Sequence, residues 1–343
     1  MTSDDLLNSL ILICNELRKT PSERKRCIKK FKKAYREGTL HIDWNWGNAL
    51  WCYNLCVAEL IQGRYHWKAW ETRSSANMAL SIKDVVFPRW DGNPCKLLVI
   101  AEQGIGDEIL FASCFPDLIK QCPDTTFEAD PRLIPIFQRS FEAEFISRWD
   151  DNGERKSINT YPKGAYDAFV PAGDLPKIYR RSRDSFPGTP YLKHKKNYLK
   201  DFPNKTYGIS WYGRQGKLEP QDLKVFPGNW VDLQYGPHKT PPGIIPTDWN
   251  EITQNIDLVF DLVASMDAVV CIPNTLAHIA GAVGTRAHVI RPPAIYPGDD
   301  LEDINFHNRL NPTFGLFNGS IPWYNCVTTY SSIHEFKGRY SFK

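Results

Sequence analysis

One stretch, residues 96 to 118, constrains the fold more than any other part of this chain. It reads KLLVIAEQGIGDEILFASCFPDL. An apolar run of β-forming residues is followed by two glycines, Gly104 and Gly106, and then by Asp107. After Asp107 the apolar residues recur at three- and four-residue spacings, which is the pattern of an amphipathic helix. The stretch therefore predicts a strand, a glycine turn and a helix, the unit from which parallel α/β sheets are built.

A turn of this kind carries a specific chemistry. It brings backbone N–H groups and the positive end of a helix dipole to the carboxyl edge of a strand, where α/β proteins bind phosphorylated ligands. It also places a carboxylate, Asp107, at the start of the helix. The full GxGxxG fingerprint of dinucleotide-binding proteins is missing, because Ile109 stands where the third glycine belongs. This argues against a nicotinamide-dependent dehydrogenase.

A second motif of the same type lies near the other end of the chain. The apolar strand 268–272 is stopped by Pro273, and Asn274 is a good N-cap for a helix that opens at Thr275. His278 falls in the first turn of that helix, where free N–H groups favour an anion. The two motifs together predict a site for a phosphorylated ligand.

Hydrophobic periodicity predicts an all-helical segment followed by two α/β units. The predicted helices of the first segment are 4–17, 22–37, 46–62 and 65–80, of which the last two resemble a tetratricopeptide hairpin. Strands and helices then alternate at 96–101, 107–121, 126–129, 132–140, 145–148 and 168–170. After a polar stretch, 193–204, they alternate again at 207–211, 230–234, 257–266, 268–272, 275–283 and 287–291. The predicted domains are 1–88, 89–196 and 205–330, with a C-terminal tail, 331–343.

Composition excludes several classes of protein. The chain has 343 residues, 42% of them hydrophobic, which is enough for two ordinary domains. No apolar run reaches the ~18 residues that span a bilayer. The nine cysteines form no CxxC pair, which favours reduced thiols and a cytoplasmic location. No Asp-x-Asp or zinc-type spacing is present, so we expect no metal and no cofactor.

The net charge of +3 conceals a strongly basic segment. Residues 18 to 37 hold ten Lys or Arg against two Glu. Within them the apolar residues of 22–37 share one helical face, with lysines around the rest. The basic side of such a helix is either the solvated face of an ordinary packed helix or a patch that faces phosphates. The candidate nucleic-acid contacts are Lys25, Lys29, Lys32, Lys33 and Arg36.

Eight sequence blocks, in order, resemble the tetratricopeptide-linked glycosyltransferases. These are relatives of the lipopolysaccharide heptosyltransferases and, more distantly, of the protein O-linked N-acetylglucosamine transferases. The blocks are GRYHWKAWETR (63–73), PRWDG (88–92), VIAEQGIGDEILFA (99–112), GDLPKIY with PGTPYL (173–179, 187–192), GISWYG (208–213), WVDLQYG (230–236), SMDAVVCIPNTLAHIAGAVG (265–284) and PWY (322–324). The resemblance implies an α/β fold of the GT-B type, with two Rossmann-like domains and a helical tetratricopeptide-like segment before them.

The resemblance also implies roles for individual residues. Asp107 matches the aspartate that the heptosyltransferase relatives use as a catalytic base, and Glu102 is the second candidate. Gly104 and Gly106 would bring the backbone close to the reacting sugar. The residues implied in donor binding are Asn274, Thr275, Leu276, His278, Gly281, Lys224, Lys217, Trp211 and Gln234. Glycosyl transfer needs a base for the acceptor and N–H or positive groups for the departing nucleoside diphosphate, and these residue types supply both.

Three functions remain open at the level of the sequence. The first is a cytoplasmic, metal-independent glycosyltransferase that moves a sugar from a nucleotide-sugar donor to a protein or glycan. The second is a glycosyltransferase acting on a hydroxylated base in DNA, with the basic helix on the phosphates. The third is a non-catalytic tetratricopeptide-like interaction protein on a transferase scaffold, which predicts loss of the base or of the phosphate-loop residues.

Overall fold

The computed structural model divides into two compact units. One comprises Met1–Ser81, Arg180–Ser185 and Tyr296–Leu316, and the other comprises Ile82–Tyr179, Phe186–Ile295 and Phe317–Lys343. The structure describes residues 7, 8, 10, 11, 21–38, 65, 67, 86–196, 198, 204–213, 216–291 and 319–340. Both α/β segments belong to the second unit, so the candidate site lies inside one body.

The first unit contains the predicted basic helix. Helix α1 spans Pro21–Arg36, in agreement with the predicted 22–37. Residues 7, 8, 10 and 11 are helical, within the predicted helix 4–17. The remaining predicted helices, with the tetratricopeptide-like hairpin, lie outside the described residues except at Tyr65 and Trp67. Trp67 is buried, and its Nε1 donates to the carbonyl of Arg180 over 2.8 Å.

The second unit begins with a four-stranded parallel sheet. Its strands are β1 (Leu97–Ile100), β2 (Thr125–Ala129), β3 (Glu144–Ser147) and β4 (Ala168–Pro171), in the order β3-β2-β1-β4. Every residue of β1 is buried, because helices cover both faces of a parallel sheet. The predicted open parallel sheet is confirmed.

Helices connect these strands and fill the core beside them. They are α2 (Ile105–Ala112), α3 (Phe115–Gln121), α4 (Ile134–Ser140) and α5 (Leu175–Tyr179). The single helix predicted over 107–121 is wrong, because the chain breaks between α2 and α3. Pro116 lacks an N–H, and its ring would clash with the carbonyl of Ala112 four residues earlier in a continuous helix. The core here is aromatic and contains Phe115, Phe127, Phe137, Phe141 and Phe145.

A second sheet of six strands follows. Its strands are β5 (Thr206–Ser210), β8 (Asn229–Asp232), β9 (Ala268–Cys271), β10 (Ala287–Ile290), β11 (Gly319–Ser320) and β12 (Val327–Tyr330), in the order β11-β12-β10-β9-β5-β8. All neighbours pair in parallel except β11 with β12. A short hairpin, β6 (Tyr212–Gly213) and β7 (Gly216–Lys217), follows β5.

The helices around this sheet are α6 (Pro220–Leu223), α7 (Trp249–Gln254), α8 (Ile256–Ser265), α9 (Thr275–Val283) and α10 (Ile333–Tyr340). Residues 331–343, predicted as a tail, contain α10. Phe336 is fully buried in the core cluster of the six-stranded sheet, and Tyr340 packs against that cluster. The four-residue spacing of these two aromatic residues places both on one face of the helix.

The polar stretch 193–204 begins with hydrogen bonds to both α/β segments. The N–H of Lys193 donates to Ser140 on α4, and the N–H of Lys195 donates to Asp261 on α8. Asp257 on α8 forms ion pairs with Arg139 on α4 and with Lys195. Across the part of the chain that the structure describes, no helix is long and apolar enough to cross a membrane.

Candidate functional site

The turn after β1 is built around Asp107. Gly104 caps α2, and its N–H donates to the Asp107 carboxylate over 3.1 Å. Gln103 has a left-handed backbone, with φ of 63°. A non-glycine residue rarely adopts this conformation without support. Here the Gln103 carbonyl accepts a hydrogen bond from Arg148 at 3.2 Å.

The turn after β9 is fixed by Asn274. Its side-chain oxygen accepts from the N–H of Leu276 at 3.1 Å, which is the N-cap bond that the sequence predicts. Its side-chain amide donates to Ser210 at the end of β5 over 2.9 Å. One side chain therefore joins the start of α9 to the neighbouring strand.

The two turns meet. A Cβ built on Gly106 would lie 3.0 Å from Cδ2 of His278 and 3.5 Å from the hydroxyl of Thr275. The first turn of α2 thus packs directly against the first turn of α9. Two motifs recognised separately in the sequence form one site, and the absence of a side chain at Gly106 permits the contact.

His278, which makes this contact, also lies within hydrogen-bond distance of Tyr324. His278 is 5% exposed, and burial lowers its pKa to about 3, so the imidazole is neutral at pH 7. Its Nδ1 lies 3.1 Å from the hydroxyl of Tyr324, which is fully buried. Burial, Tyr191 and the charge of Asp107 all raise the pKa of Tyr324. Both groups are therefore neutral hydrogen-bonding partners near the Asp107 carboxylate.

Gly281 makes room for Tyr324. A Cβ at this position would lie 2.3 Å from Cγ of the Tyr324 ring, a distance at which atoms overlap. The sequence resemblance implies donor binding for Gly281. The structure places it against the tyrosine ring.

The electrostatic surroundings of Asp107 are finely balanced. Its pKa is raised to about 6, mainly by burial and also by the charge of Glu102. The hydrogen bond from the Gly104 N–H and the charge of Arg148 act in the opposite direction and lower the pKa. A carboxylate with a pKa just below neutral is ionised at pH 7 and yet basic enough to accept a proton. Glu102 is 2% exposed and accepts from the side chain of Gln103 at 3.1 Å.

Two arginines that the sequence reasoning missed hold this turn in place. Arg148, just after β3, pairs with buried Glu108, and Arg155 pairs with buried Glu128. Arg155 also donates to the carbonyl of Ala101. Burial raises the pKa of Glu108 to about 7, against the opposing charge of Arg148. The one sequence signal for these arginines was that Arg148 follows the carboxyl end of a predicted strand. Both arginines lie outside the sequence blocks that carry the family resemblance.

A cavity of about 310 Å³ opens beside the contact between the two turns. Most of its lining is apolar, and the first residues of α2 and α9 both contribute to it. The lining residues are Ile105, Arg132, Leu233, Tyr235, Ile252, Thr253, Ile256, Val259, Thr275, Leu276 and Ile279. Arg132 is held by two hydrogen bonds to Asp130, and the Tyr235 ring is 44% exposed.

Four candidate donor-binding residues lie apart from this cavity. Gln234 is fully buried, and its side-chain oxygen accepts from the N–H groups of Trp211 and Tyr212 at 2.9 and 3.0 Å. Trp211 belongs to the core of the six-stranded sheet. Lys224 donates to the carbonyl of Gly243 at 2.9 Å, and Lys217 lies 3.6 Å from Glu219. None of the four lines the cavity among the residues described.

Asp232, at the end of β8, anchors the proline-rich segment that follows. Its carboxylate accepts from Gln234 N–H at 2.9 Å and from Thr240 at 2.6 Å, and it lies 2.8 Å from Nε2 of His238. The other ring nitrogen of His238 lies 2.7 Å from the carbonyl of Gly236. These contacts hold the backbone next to Tyr235 and hence one wall of the cavity.

The described residues contain no group of three or more His, Cys, Asp or Glu side chains arranged to hold a metal ion. Carboxylates and arginines cluster around the turn after β1. There each carboxylate already has an arginine or N–H partner.

No protein-family model matches the chain. Among curated proteins it is similar to the protein FlbA of Caulobacter vibrioides, with 25% identity over 262 residues. The match covers 64% of this chain and 44% of FlbA, so the chain spans under half the length of that relative.

The solved structures to which the chain is similar include those of two bacterial glycosyltransferases. The glycosyl transferase family 9 protein from Veillonella parvula is 10% identical, with a TM-score of 0.48, and the match covers 73% of this chain and 90% of that one. The ADP-heptose lipopolysaccharide heptosyltransferase II of Escherichia coli is 14% identical, with a TM-score of 0.44, covering 68% and 89%.

Proposed function

We propose that this protein is a glycosyltransferase of the GT-B type that uses a nucleotide-sugar donor. The observation that carries the proposal is the contact between the first turns of α2 and α9, where Gly106 meets His278 and Thr275. That contact brings a carboxylate with a raised pKa beside a helix N-terminus suited to phosphate. For transfer of a glycosyl group, the carboxylate and the phosphate-binding helix N-terminus must lie within the length of one sugar of each other.

In this proposal the donor lies along α9. The N–H and the hydroxyl of Thr275, at the N-terminus of α9, receive the diphosphate. The nucleoside occupies the 310 Å³ cavity, where Tyr235 offers an exposed ring for stacking and Arg132 a guanidinium at the rim. Helix dipole and N–H groups take the place of a divalent ion, so the proposed reaction is metal-independent.

Asp107 is the proposed base. Its carboxylate takes the proton of the acceptor hydroxyl as the oxygen attacks the sugar, while the C–O bond to the diphosphate breaks. Neutral His278 and Tyr324 keep the environment of Asp107 free of further charge. The presence of Asp107, Thr275 and His278 in one site argues against a purely non-catalytic scaffold.

The test is a thermal-shift screen against UDP-, GDP-, ADP-, CMP- and dTDP-linked sugars, followed by release of the nucleoside diphosphate. We expect one nucleotide class to raise the melting temperature. Asp107→Asn should keep that shift and slow turnover by about a hundredfold or more. Asp124→Asn, at an exposed aspartate just before β2, is the matched control. No shift with any donor and no turnover would contradict the proposal.

A second candidate acceptor is DNA, favoured by the surface of α1. Seven basic side chains of this helix are exposed, namely Lys25, Arg26, Lys29, Lys30, Lys32, Lys33 and Arg36. Two nearby contacts involve them, Lys33 with Glu37 and Arg36 with the carbonyl of Lys32. Half-buried Cys27, Ile28 and Phe31 occupy the opposite face. A row of lysines free to point outward fits a phosphate backbone.

Binding of a short duplex oligonucleotide across a salt series tests this candidate. We expect the affinity to fall steeply with salt, and Lys29→Glu with Lys32→Glu to reduce the slope by about 2. Lys163→Glu, an exposed lysine of the second unit, is the control. Absence of binding at low salt would remove DNA as the acceptor and leave the transferase proposal intact.

A further inference from the structure

A second and larger cavity lies at the opposite end of the six-stranded sheet. It has a volume of about 1100 Å³ and is lined by residues at the amino ends of β5, β9, β10 and β12. We refer to it as the amino-end groove, defined by Lys205, Tyr207, Phe226, Arg286, His288 and Tyr340. The candidate transferase site follows the carboxyl end of β9, so the two sites are separated by the length of the strands, about 13 Å.

Two buried residues present polar atoms to this groove without a protein partner. Tyr207 is 6% exposed and His288 is 4% exposed. The Tyr207 hydroxyl and Nε2 of His288 make no hydrogen bond to any described residue, and neither atom is fully enclosed. The pairing of Tyr207 with Ala268, and of His288 with Val270, puts both side chains on one face of the sheet. The protein uses neither atom, so each is open to a bond with a ligand or with water in the groove.

One of the two neutral tautomers of His288 makes Nε2 a donor to a ligand in the groove. Its Nδ1 lies 2.9 Å from the Tyr330 hydroxyl, which is within 3.0 Å of the Tyr340 hydroxyl. Burial and the charge of Arg286 lower the pKa of His288 to about 4, so the ring carries one proton at pH 7. When Nδ1 accepts from Tyr330, that proton is on Nε2 and points to the groove.

The charge of the groove is positive. Lys205 and Arg286 are exposed at its edge, and in the described chain neither has an ion-pair partner. The acid that lines the groove is Asp267, whose carboxylate accepts from the N–H of Thr206 at 2.8 Å. The charge of Arg286 also acts on Tyr207, where it opposes the rise of the pKa that burial and Asp267 produce. Arg286 therefore lies close to both unpartnered groups.

An aromatic wall completes the groove. The half-buried ring of Phe226 has its centroid 5.1 Å from Tyr207, 5.3 Å from His288 and 4.9 Å from Tyr340. Rings at these distances give a broad apolar surface of the kind on which planar groups pack. The volume exceeds that of a bare oxyanion and lies just above the range of about 300 to 1,000 Å³ for small-molecule pockets.

We propose that the amino-end groove is a binding site for a phosphorylated small molecule with a planar ring, of the nucleoside-monophosphate class. Lys205 and Arg286 receive the phosphate, His288 and Tyr207 hydrogen-bond to the ligand, and Phe226 contacts its ring. The site is separate from the proposed donor site and does not depend on the transferase proposal.

Calorimetric titration of the full chain with AMP tests the site. We expect one binding event that weakens at least about tenfold in Lys205→Ala with Arg286→Ala, since charge-assisted bonds to phosphate are lost. Lys163→Ala is the matched control, and Arg132→Ala reports on the other cavity; both should leave this event unchanged. Inorganic phosphate should bind more weakly than AMP, because it has no ring.

A second measurement uses the wild-type protein alone, so it does not depend on the folding of a variant. Addition of AMP should shift the Nε2 resonance of His288 in the imidazole region of a ¹⁵N spectrum and leave His278 unshifted. Three results would overturn the proposal. These are no AMP binding, binding unaffected by the double substitution, and equal affinity for phosphate and AMP, which would mean that the groove holds water and a loosely bound ion.

Discussion

At the scale of single residues, Gly281 gives the clearest prediction. Gly281→Ala would place a methyl group within 2.3 Å of the Tyr324 ring. We expect a loss of about 1 to 3 kcal/mol of unfolding free energy, because a packed ring at the base of α9 must move. Gly338→Ala in α10 is the matched control, since a Cβ there meets nothing within 4 Å. Urea unfolding of both variants checks this, and equal midpoints would contradict it.

Asp107 gives a prediction in pH. Because its folded pKa is raised to about 6, the ionised carboxylate of Asp107 destabilises the folded protein relative to the unfolded chain, and this cost is fully present above pH 6. Its contribution to stability improves as pH falls from about 6 towards the unfolded value near 3.9. Asp107→Asn should therefore raise the melting temperature at pH 8, with the difference disappearing near pH 4.

The same ionisation should appear in the rate. In the proposed reaction the turnover of the wild-type enzyme rises with pH through about 6, as Asp107 loses its proton.

For the melting temperatures, a stability difference between wild type and Asp107→Asn that is identical at all pH values would show that the pKa of the Asp107 carboxyl is not perturbed.

At the scale of elements, the contact between α2 and α9 depends on the absence of one side chain. Gly106→Ala places a Cβ 3.0 Å from the His278 ring, so the ring or the helix must shift. We expect about 1 kcal/mol of destabilisation despite the better helix propensity of alanine, together with displaced His278 resonances. At Gly104 the nearest atom to a new Cβ is 3.6 Å away, an ordinary contact, so Gly104→Ala should leave the His278 resonances unchanged.

The sequence predicted those elements whose periodicity is local. The strands around Val99 and Val270 are confirmed, as is the N-cap at Asn274, because apolar runs and capping residues act within a few positions. The break at Pro116 was missed although its cause is local, since the apolar spacing continues across it. Helix α10 was missed because its aromatic face has meaning only against a sheet formed elsewhere in the chain.

The candidate site was predictable only in part, for the same reason. Asp107 and His278 lie in motifs that can be read in sequence, and the structure packs Gly106, the neighbour of Asp107, against His278. Arg148 and Arg155 support the turn from the segment that follows β3, and no spacing in the sequence relates them to Gln103 or Ala101. Gln234 and Trp211 lie in matching blocks, but their burial in the sheet becomes visible only when β5 and β8 pair.

At the scale of the whole second unit, Asp257 links its two α/β segments. Burial raises its pKa, but the bonds from Arg139 and Lys195 outweigh this and lower the pKa from its ordinary value. A lowered pKa stabilises the fold above the unfolded value near 3.9, and this contribution is lost as pH falls. The melting temperature of the wild type should therefore drop more steeply from pH 5 to pH 3 than that of Asp257→Asn.

Exposed Asp124, changed to Asn, serves as the control for that comparison and should follow the wild type. Parallel curves for the wild type and Asp257→Asn would show that the bridge contributes nothing to stability.

The contact between Gly106 and His278 has a consequence for how the protein folds. It closes a loop, residues 106–278, that contains three strands of each sheet, whereas each β–α unit is made of near neighbours in the chain. Contacts of such long sequence separation form late, because chain entropy opposes them until the local units are in place. During refolding, helical content should therefore return before the environment of His278 does. Between these two events the protein would have its secondary structure, but the candidate site would not yet be assembled.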